Sequence, residues 1–400
     1  MISRFFAAVA AVTILAGAPC ASAAPLYTLT FLPLDFRGAQ LNDVGQIVGN
    51  ASGAAAIYSG GAVTFVAPFA STGEGINNLG DIVGTHSPYI EAFSYIGGTL
   101  TDLGPLFTPD NDGSFGTAIN DHGVVGGSIY RGGEDTKGFL LQDGVVTELG
   151  TFGGDYSPIA ALNNHGAATG YAAFPGPAGG YHHAYIYQDG TLQDLGTLDG
   201  DINSAGTDIN ELGQVAGWSG LRPFLYSGGG MIDLGALGAN GGYATALNDD
   251  AVVVGYAYSS LTPGGTGTHA FVWANGAMTD LNSLVANPGG WELTTAQDIN
   301  EAGQILGTAC QGGSCASVLL TPVPEPAAGL MLLAGLAGLG TLAPLAARRR
   351  RPKPRTGSHA QQCMHTSSWN ASPAALKPSP YDAEHTFAAA CAAACTQPDK

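Results

Sequence analysis

The 400-residue sequence carries only 11% charged side chains, 61 glycines and a formal net charge of −18. Residues 24–326 are more extreme, with 28 acidic side chains against four basic ones (Arg37, Arg131, Lys137 and Arg222), a net charge of −24. Such a body repels polyanions, which excludes nucleic acid and anionic membrane surfaces as partners and leaves cations, calcium included, and neutral glycans open.

The first 23 residues form an export signal. Arg4 supplies the positive n-region, the run from Phe5 to Ala18 is apolar, and Ala21-Ser22-Ala23 is a small-residue cleavage site. The apolar run is too short to span a bilayer. Export in turn permits disulfides, and Cys310 and Cys315, separated by "QGGS", are the expected pair in the mature body.

Seven near-copies of one stretch follow: "LNDVGQIVGN", "INNLGDIVGT", "INDHGVVGGS", "LNNHGAATGY", "INELGQVAGW", "LNDDAVVVGY" and "INEAGQILGT". Their markers, Asn42, Asn77, Asn120, Asn163, Asn210, Asn248 and Asn300, stand 35 to 52 residues apart. A period near forty suggests a solenoid or a propeller. The copy that ends at Trp218 contains "AYIY", the turn "QDG", "TLQDL", a glycine-rich connection to a short strand ending in "DIN", then "GQVAGWS". β-Branched and aromatic runs bounded by turn residues read as four strands. In the recurring stretch Asn opens a hairpin turn by bonding backbone two residues on, and the closing Gly takes the positive φ. The sixth copy has Asp250-Ala251 where the others have x-Gly, so a distorted turn is expected there.

The first copy lacks the "AYIY"-type strand, and the last copy ends with a spare one at residues 316–320. Pairing of that strand with residues 29–32 would complete one blade from both termini and remove an exposed edge. The reading is an all-β, seven-bladed β-propeller over residues 24–322, closed by N- and C-terminal strands; an open β-solenoid is the alternative. The repeats resemble the HAF repeat of extracellular bacterial proteins, named for the His-Ala-Phe found here at His269-Ala270-Phe271. "LPLDF" and "VAPFA" in the first two copies depart from its "DLG" element. The resemblance implies an exported repeat protein and brings no assigned chemistry.

Catalytic and metal motifs are not found. Asp102, Glu148, Asp194, Asp233 and Asp280 recur at one strand position. Carboxylates aimed into a central channel could hold a cation, whereas carboxylates bonding backbone before a glycine would serve each repeat. "DGDIN" (Asp199, Asp201, Asn203) starts like a calcium loop, but Ser204 replaces the required glycine and Asn210 the bidentate glutamate. No cofactor is assigned; calcium is the one candidate. His182 and His183 are adjacent on a strand and point to opposite faces. The most variable loops run over residues 128–138, 171–183 and 256–269, and loops that differ on one side of a repeat array form its binding face. Tyr171, Phe174, Tyr181, Tyr256 and Tyr258 there offer flat faces to sugar rings.

Past residue 322 the composition changes. Val323-Pro324-Glu325-Pro326 precedes 21 uncharged residues, 327–347, long enough for a membrane-crossing helix, and then Arg348, Arg349, Arg350 and Arg351. This order resembles the PEP-CTERM sorting signal, which implies recognition by an exosortase-like protease-transpeptidase and a link to exopolysaccharide and biofilm. Residues 352–400 lack apolar periodicity and read as a disordered tail, a departure from the family's short ending. The sequence therefore describes an exported, non-enzymatic protein of the cell envelope or surface, membrane-anchored before processing, that binds extracellular polysaccharide or protein. A propeller-fold glycan hydrolase or lyase is the alternative.

Overall fold

The computed structural model describes residues 26–323, apart from 68–69, 88–89, 105–112, 132–135, 177–179, 239–240, 259–266 and 287. The export signal with Ala21 and Ala23, the motif residues Pro324, Glu325 and Pro326, the stretch 327–347, the arginine cluster and the tail all lie outside the described residues. Among the described residues no helix is long and apolar enough to cross a membrane.

The strands form seven sheets, each built on an antiparallel path of four, and Tyr156–Ser157 adds a short parallel pairing to the third. Blades 1 to 6 take residues 36–65, 71–102, 113–148, 159–196, 204–233 and 242–280 in turn. Blade 7 combines Glu292–Ile299, Ile305–Gln311 and Ser314–Pro322 with the N-terminal strand Tyr27–Phe31. In its closing pair, Leu29 stands opposite Leu320 and Phe31 opposite Val318. An open solenoid would leave both strands as edges, so this pairing excludes it.

The phase of the repeat differs from the sequence reading. "TLQDL" belongs to the outer strand of blade 4, while "DIN" ends the inner strand of blade 5. The glycine-rich stretch between them is thus a link between blades. Periodicity sets spacing, but a link and a hairpin turn share the same residue types, so composition cannot say which of two turns leaves the sheet.

Apolar cores lie between neighbouring blades. Val48 and Ala55 of blade 1 pack with Ile76, Ile82 and Phe93 of blade 2, for example. Phe93, Phe139, Tyr185, Phe224 and Phe271, one from each third strand of blades 2 to 6, are fully buried. Each ring lies over a second-strand glycine. A Cβ on Gly217 would stand 2.7 Å from the Phe224 ring, and one on Gly127 would stand 2.7 Å from Phe139. The final glycine of the recurring stretch is therefore the seat of the blade's aromatic.

The asparagines do more than shape hairpins. Each marker Asn is nearly or fully buried, and its side-chain oxygen accepts backbone N–H groups of its own turn, as Asn210 does from Leu212 and Gln214. Its amide nitrogen donates to the backbone carbonyl of the next blade's marker. Asn42 donates to Asn77, Asn77 to Asn120, Asn120 to Asn163, Asn163 to Asn210, Asn210 to Asn248, Asn248 to Asn300, and Asn300 back to Asn42, at 2.9–3.4 Å. The ring of bonds closes. In the sixth turn the expected distortion does not occur. Ala251 donates its N–H to the Asn248 carbonyl at 3.0 Å, as the glycines do elsewhere, and adopts φ +57°. The hairpin and the ring bonds on both sides hold the turn, so the cost appears as backbone strain at one alanine.

Candidate functional site

The central channel has two chemically different ends. At the hairpin end, the residue after each marker forms a second ring. The side chains of Asn78, Asp121, Asn164, Glu211, Asp249, Glu301 and Asp43 each accept the backbone N–H of the equivalent residue in the preceding blade, at 2.7–3.0 Å. Asp208 and Asp298 lie just inside and seat the next blade's backbone: Leu247 N–H donates to Asp208 at 2.9 Å and Leu41 N–H to Asp298 at 2.7 Å. Burial raises both carboxyls, Asp208 to about 6 and Asp298 to about 8, and the charge of Asp208 adds to the rise at Asp298. These acids stitch blades together.

The recurring outer-strand acids do not face the channel. They belong to the fourth strands, and those of blades 3 to 6 each pair with a basic side chain. Glu148 meets Arg131, Asp194 meets His183 at 2.9 Å, Asp233 meets Arg222 at 3.2 Å, and Asp280 meets His269 at 2.7 Å. Asp102, Asp194 and Asp233 also accept the backbone N–H of the glycine two residues on. The calcium-loop residues are occupied likewise: Asp201 accepts from Arg222 and Ser219, and the Asn203 side chain accepts from His182 N–H. An arginine already neutralises that carboxylate, which argues against a calcium loop there.

The opposite end opens into a cavity of about 830 Å³, lined by Phe115, Tyr156, Tyr171, His182 and Trp218, with Glu74, Thr85, Thr117, Ser128 and Thr136 among its polar groups. It lies where inner strands begin and second strands end, on the side of the variable loops. That volume is in the range of small-ligand sites. From the cavity an unbroken series of ring contacts crosses blades 4, 5 and 6. Tyr156 meets Tyr171 at 5.7 Å, Tyr171 meets His182 at 5.0 Å, His182 meets Trp218 at 5.8 Å, Trp218 meets Tyr243 at 5.6 Å, and Tyr243 meets Tyr256 at 5.4 Å and Tyr258 at 6.3 Å. All of these side chains are half-buried.

Of the candidate residues, Tyr171 lines the cavity, and Tyr256 and Tyr258 lie at the far end of the series. Phe174 stands apart, stacked on Phe152 at 4.9 Å and against His183 at 4.8 Å. Tyr181 is 56% exposed, and its carbonyl accepts the Phe174 N–H. The two histidines do point apart, His182 into the cavity wall and His183 to Asp194. Burial lowers His182 from its ordinary value, with the Gly180 carbonyl opposing and His183 adding to the fall. Its Nδ1 is closed off from solvent. Cys310 and Cys315 face each other across their hairpin in blade 7 and are joined by a disulfide.

Sequence reasoning missed Phe115, Tyr156, His182, Trp218 and Tyr243. A signal for part of the set was present: the residue after the second-strand glycine is Asn50, Thr85, Ser128, Tyr171, Trp218, Tyr256 and Thr308 around the ring. Three successive blades place an aromatic where the other four place a small polar residue.

No protein-family model and no curated protein matches the chain. Among solved structures it is similar to a gluconolactonase from Xanthomonas campestris, at 15% identity over 74% of this chain and 98% of that one, with a TM-score of 0.37. It is also similar to the sialidase of Trypanosoma rangeli (12% identity, 77% of this chain, 56% of that one, TM-score 0.39) and to a PQQ-bound aldose sugar dehydrogenase from Streptomyces coelicolor (10%, 75% and 99%, TM-score 0.36). The chain spans about half the length of the sialidase. Likeness of this degree says nothing of activity.

Proposed function

We propose that this is an exported, surface-associated propeller whose cavity and aromatic series bind a neutral polysaccharide, delivered to the cell envelope through the PEP-CTERM-like segment and an exosortase-like enzyme. The observation that carries the glycan reading is the continuous run of half-buried rings leading from a cavity whose wall also holds the hydroxyls of Thr85, Thr117, Ser128 and Thr136. Sugar rings present apolar C–H faces to aromatics and hydroxyls to such polar side chains. The acidic body disfavours a polyanionic chain.

The reading is a binding one because two-carboxylate glycoside cleavage needs a second carboxyl about 5–10 Å from the first. Glu74 is the one carboxylate among the described lining residues. The test is calorimetric titration of the protein with the neutral hexasaccharides cellohexaose, maltohexaose and laminarihexaose. Trp218→Ala, which removes the middle of the ring series, is expected to raise Kd by roughly tenfold or more. No heat with any of the three, or equal affinity in the variant, would remove the proposal. New reducing ends on incubation would assign a hydrolase or lyase instead.

A further inference from the structure

We propose that blade 2 carries a divalent transition-metal site formed by His86, Glu91 and Asp102. The argument begins with the repeat itself. Two residues before the buried ring of each third strand, blades 3 to 6 have a basic side chain: Lys137, His183, Arg222 and His269. In blades 4 to 6 that side chain meets the outer-strand acid directly, and in blade 3 Arg131 does so instead. Blade 2 reverses the charge. Glu91 occupies the basic position, close to the outer-strand Asp102, so two carboxylates meet where the other blades place a cation and an anion. Like charges on adjacent strands destabilise a sheet unless a cation lies between them.

The third member is an imidazole from the neighbouring strand. His86 is paired in register with Glu91, and one ligand atom from each of His86, Glu91 and Asp102 lies within 4.8 Å of the others. The histidine–aspartate pairs of blades 4 and 6 close to 2.9 and 2.7 Å, whereas His86 Nε2 stands 3.5 Å from Asp102 Oδ1. The backbone also makes room for the glutamate. A Cβ on Gly104 would meet the Glu91 carboxyl at 2.8 Å, while Gly150, Gly196 and Gly235, which hold the same place in blades 3 to 5, border open space. Gly104 N–H fixes Asp102 by donating to Oδ1 at 2.9 Å.

One imidazole nitrogen with two carboxylates suits Zn²⁺, because Ca²⁺ and Mg²⁺ take oxygen donors. Three protein ligands leave a coordination position for water or a ligand group. The His86 side chain is 12% exposed and that of Asp102 49%, which gives an ion a path in.

The experiment uses full-length protein stripped with chelator and titrated with Zn²⁺ by calorimetry. His86→Ala and Asp102→Asn are expected to lose one equivalent of Zn²⁺ or weaken it by at least about tenfold. Glu91→Lys restores the basic residue of the other blades; it should keep the fold, abolish that equivalent and remove the rise in thermal midpoint that Zn²⁺ gives the parent. His183→Ala should bind as the parent does. No equivalent in the folded parent, an equivalent that survives Glu91→Lys, or equal affinity for Ca²⁺ would each overturn the proposal.

Discussion

A single alanine shows how far the surroundings override a residue's own preference. The other hairpin turns place glycine at the left-handed position, at φ between +71° and +81°, whereas Ala251 holds φ +57° with the same turn hydrogen bond. A left-handed alanine costs about 1–2 kcal/mol. Ala251→Gly should therefore stabilise the protein by about 1 kcal/mol, less than the full strain because glycine is freer in the unfolded chain. The shift in denaturant midpoint checks this, and an unchanged or lower midpoint would mean that Ala251 is not strained. The turn was legible from "NxxG" spacing, but its tolerance of alanine was not. Tolerance comes from the ring of Asn amides, whose bonds on either side of this turn join residues 38 and 52 apart in the chain. The aromatic site was half legible for the same reason. Tyr171 and Tyr256 sit beside conspicuous loops, but Trp218 and Tyr243 become neighbours only when blades 5 and 6 pack.

At the level of the strand, the inner strands carry the unusual chemistry. Most have a bulge midway, and the hydroxyls of Thr117, Thr207 and Thr245 donate from the bulge to the next blade's backbone. Two residues before the marker Asn, blades 5 and 7 use Asp208 and Asp298 for the same stitching. The folded protein holds a proton on Asp298 up to about pH 8, whereas the unfolded chain releases it near the ordinary 3.8. Between those values the folded state binds more protons than the unfolded one, so this group's contribution to stability falls as pH rises from about 4 to about 8. Asp208 acts in the same direction up to about 6. Asp298→Asn keeps an acceptor for the Leu41 N–H and cannot ionise. Its thermal midpoint should exceed the parent's above pH 8 and vary less with pH below that; parallel profiles for the two proteins would mean that Asp298 is ionised in the fold. Asp298→Ala should instead cost about 1–3 kcal/mol, since it leaves that N–H without its acceptor.

For the whole molecule, closure determines where the chain can be cut. Tyr27–Phe31 pairs along Ser314–Pro322, and the last bond of the seam runs from Val323 N–H to the Leu26 carbonyl at 2.8 Å. The seam therefore ends at Val323, the first residue of the proposed sorting motif. A cut within or after Val323-Pro324-Glu325-Pro326 would spare every strand of blade 7, its Cys310–Cys315 disulfide and the Asn300-to-Asn42 bond. A cut before Ser314 would remove the strand that joins the N-terminus to Ile305–Gln311, expose Leu306 and Leu29, and leave blade 7 with an open edge. A chain ending at Pro326 should then match the full-length protein in thermal midpoint, and one ending at Gly313 should unfold or aggregate. Intact mass of the protein from its native cells supplies the other half of the test. A terminus at residues 324–326 is expected if the sorting proposal holds. A chain retained to Lys400 would discard that proposal while leaving the seam, and the stability comparison of the two truncations, as they are.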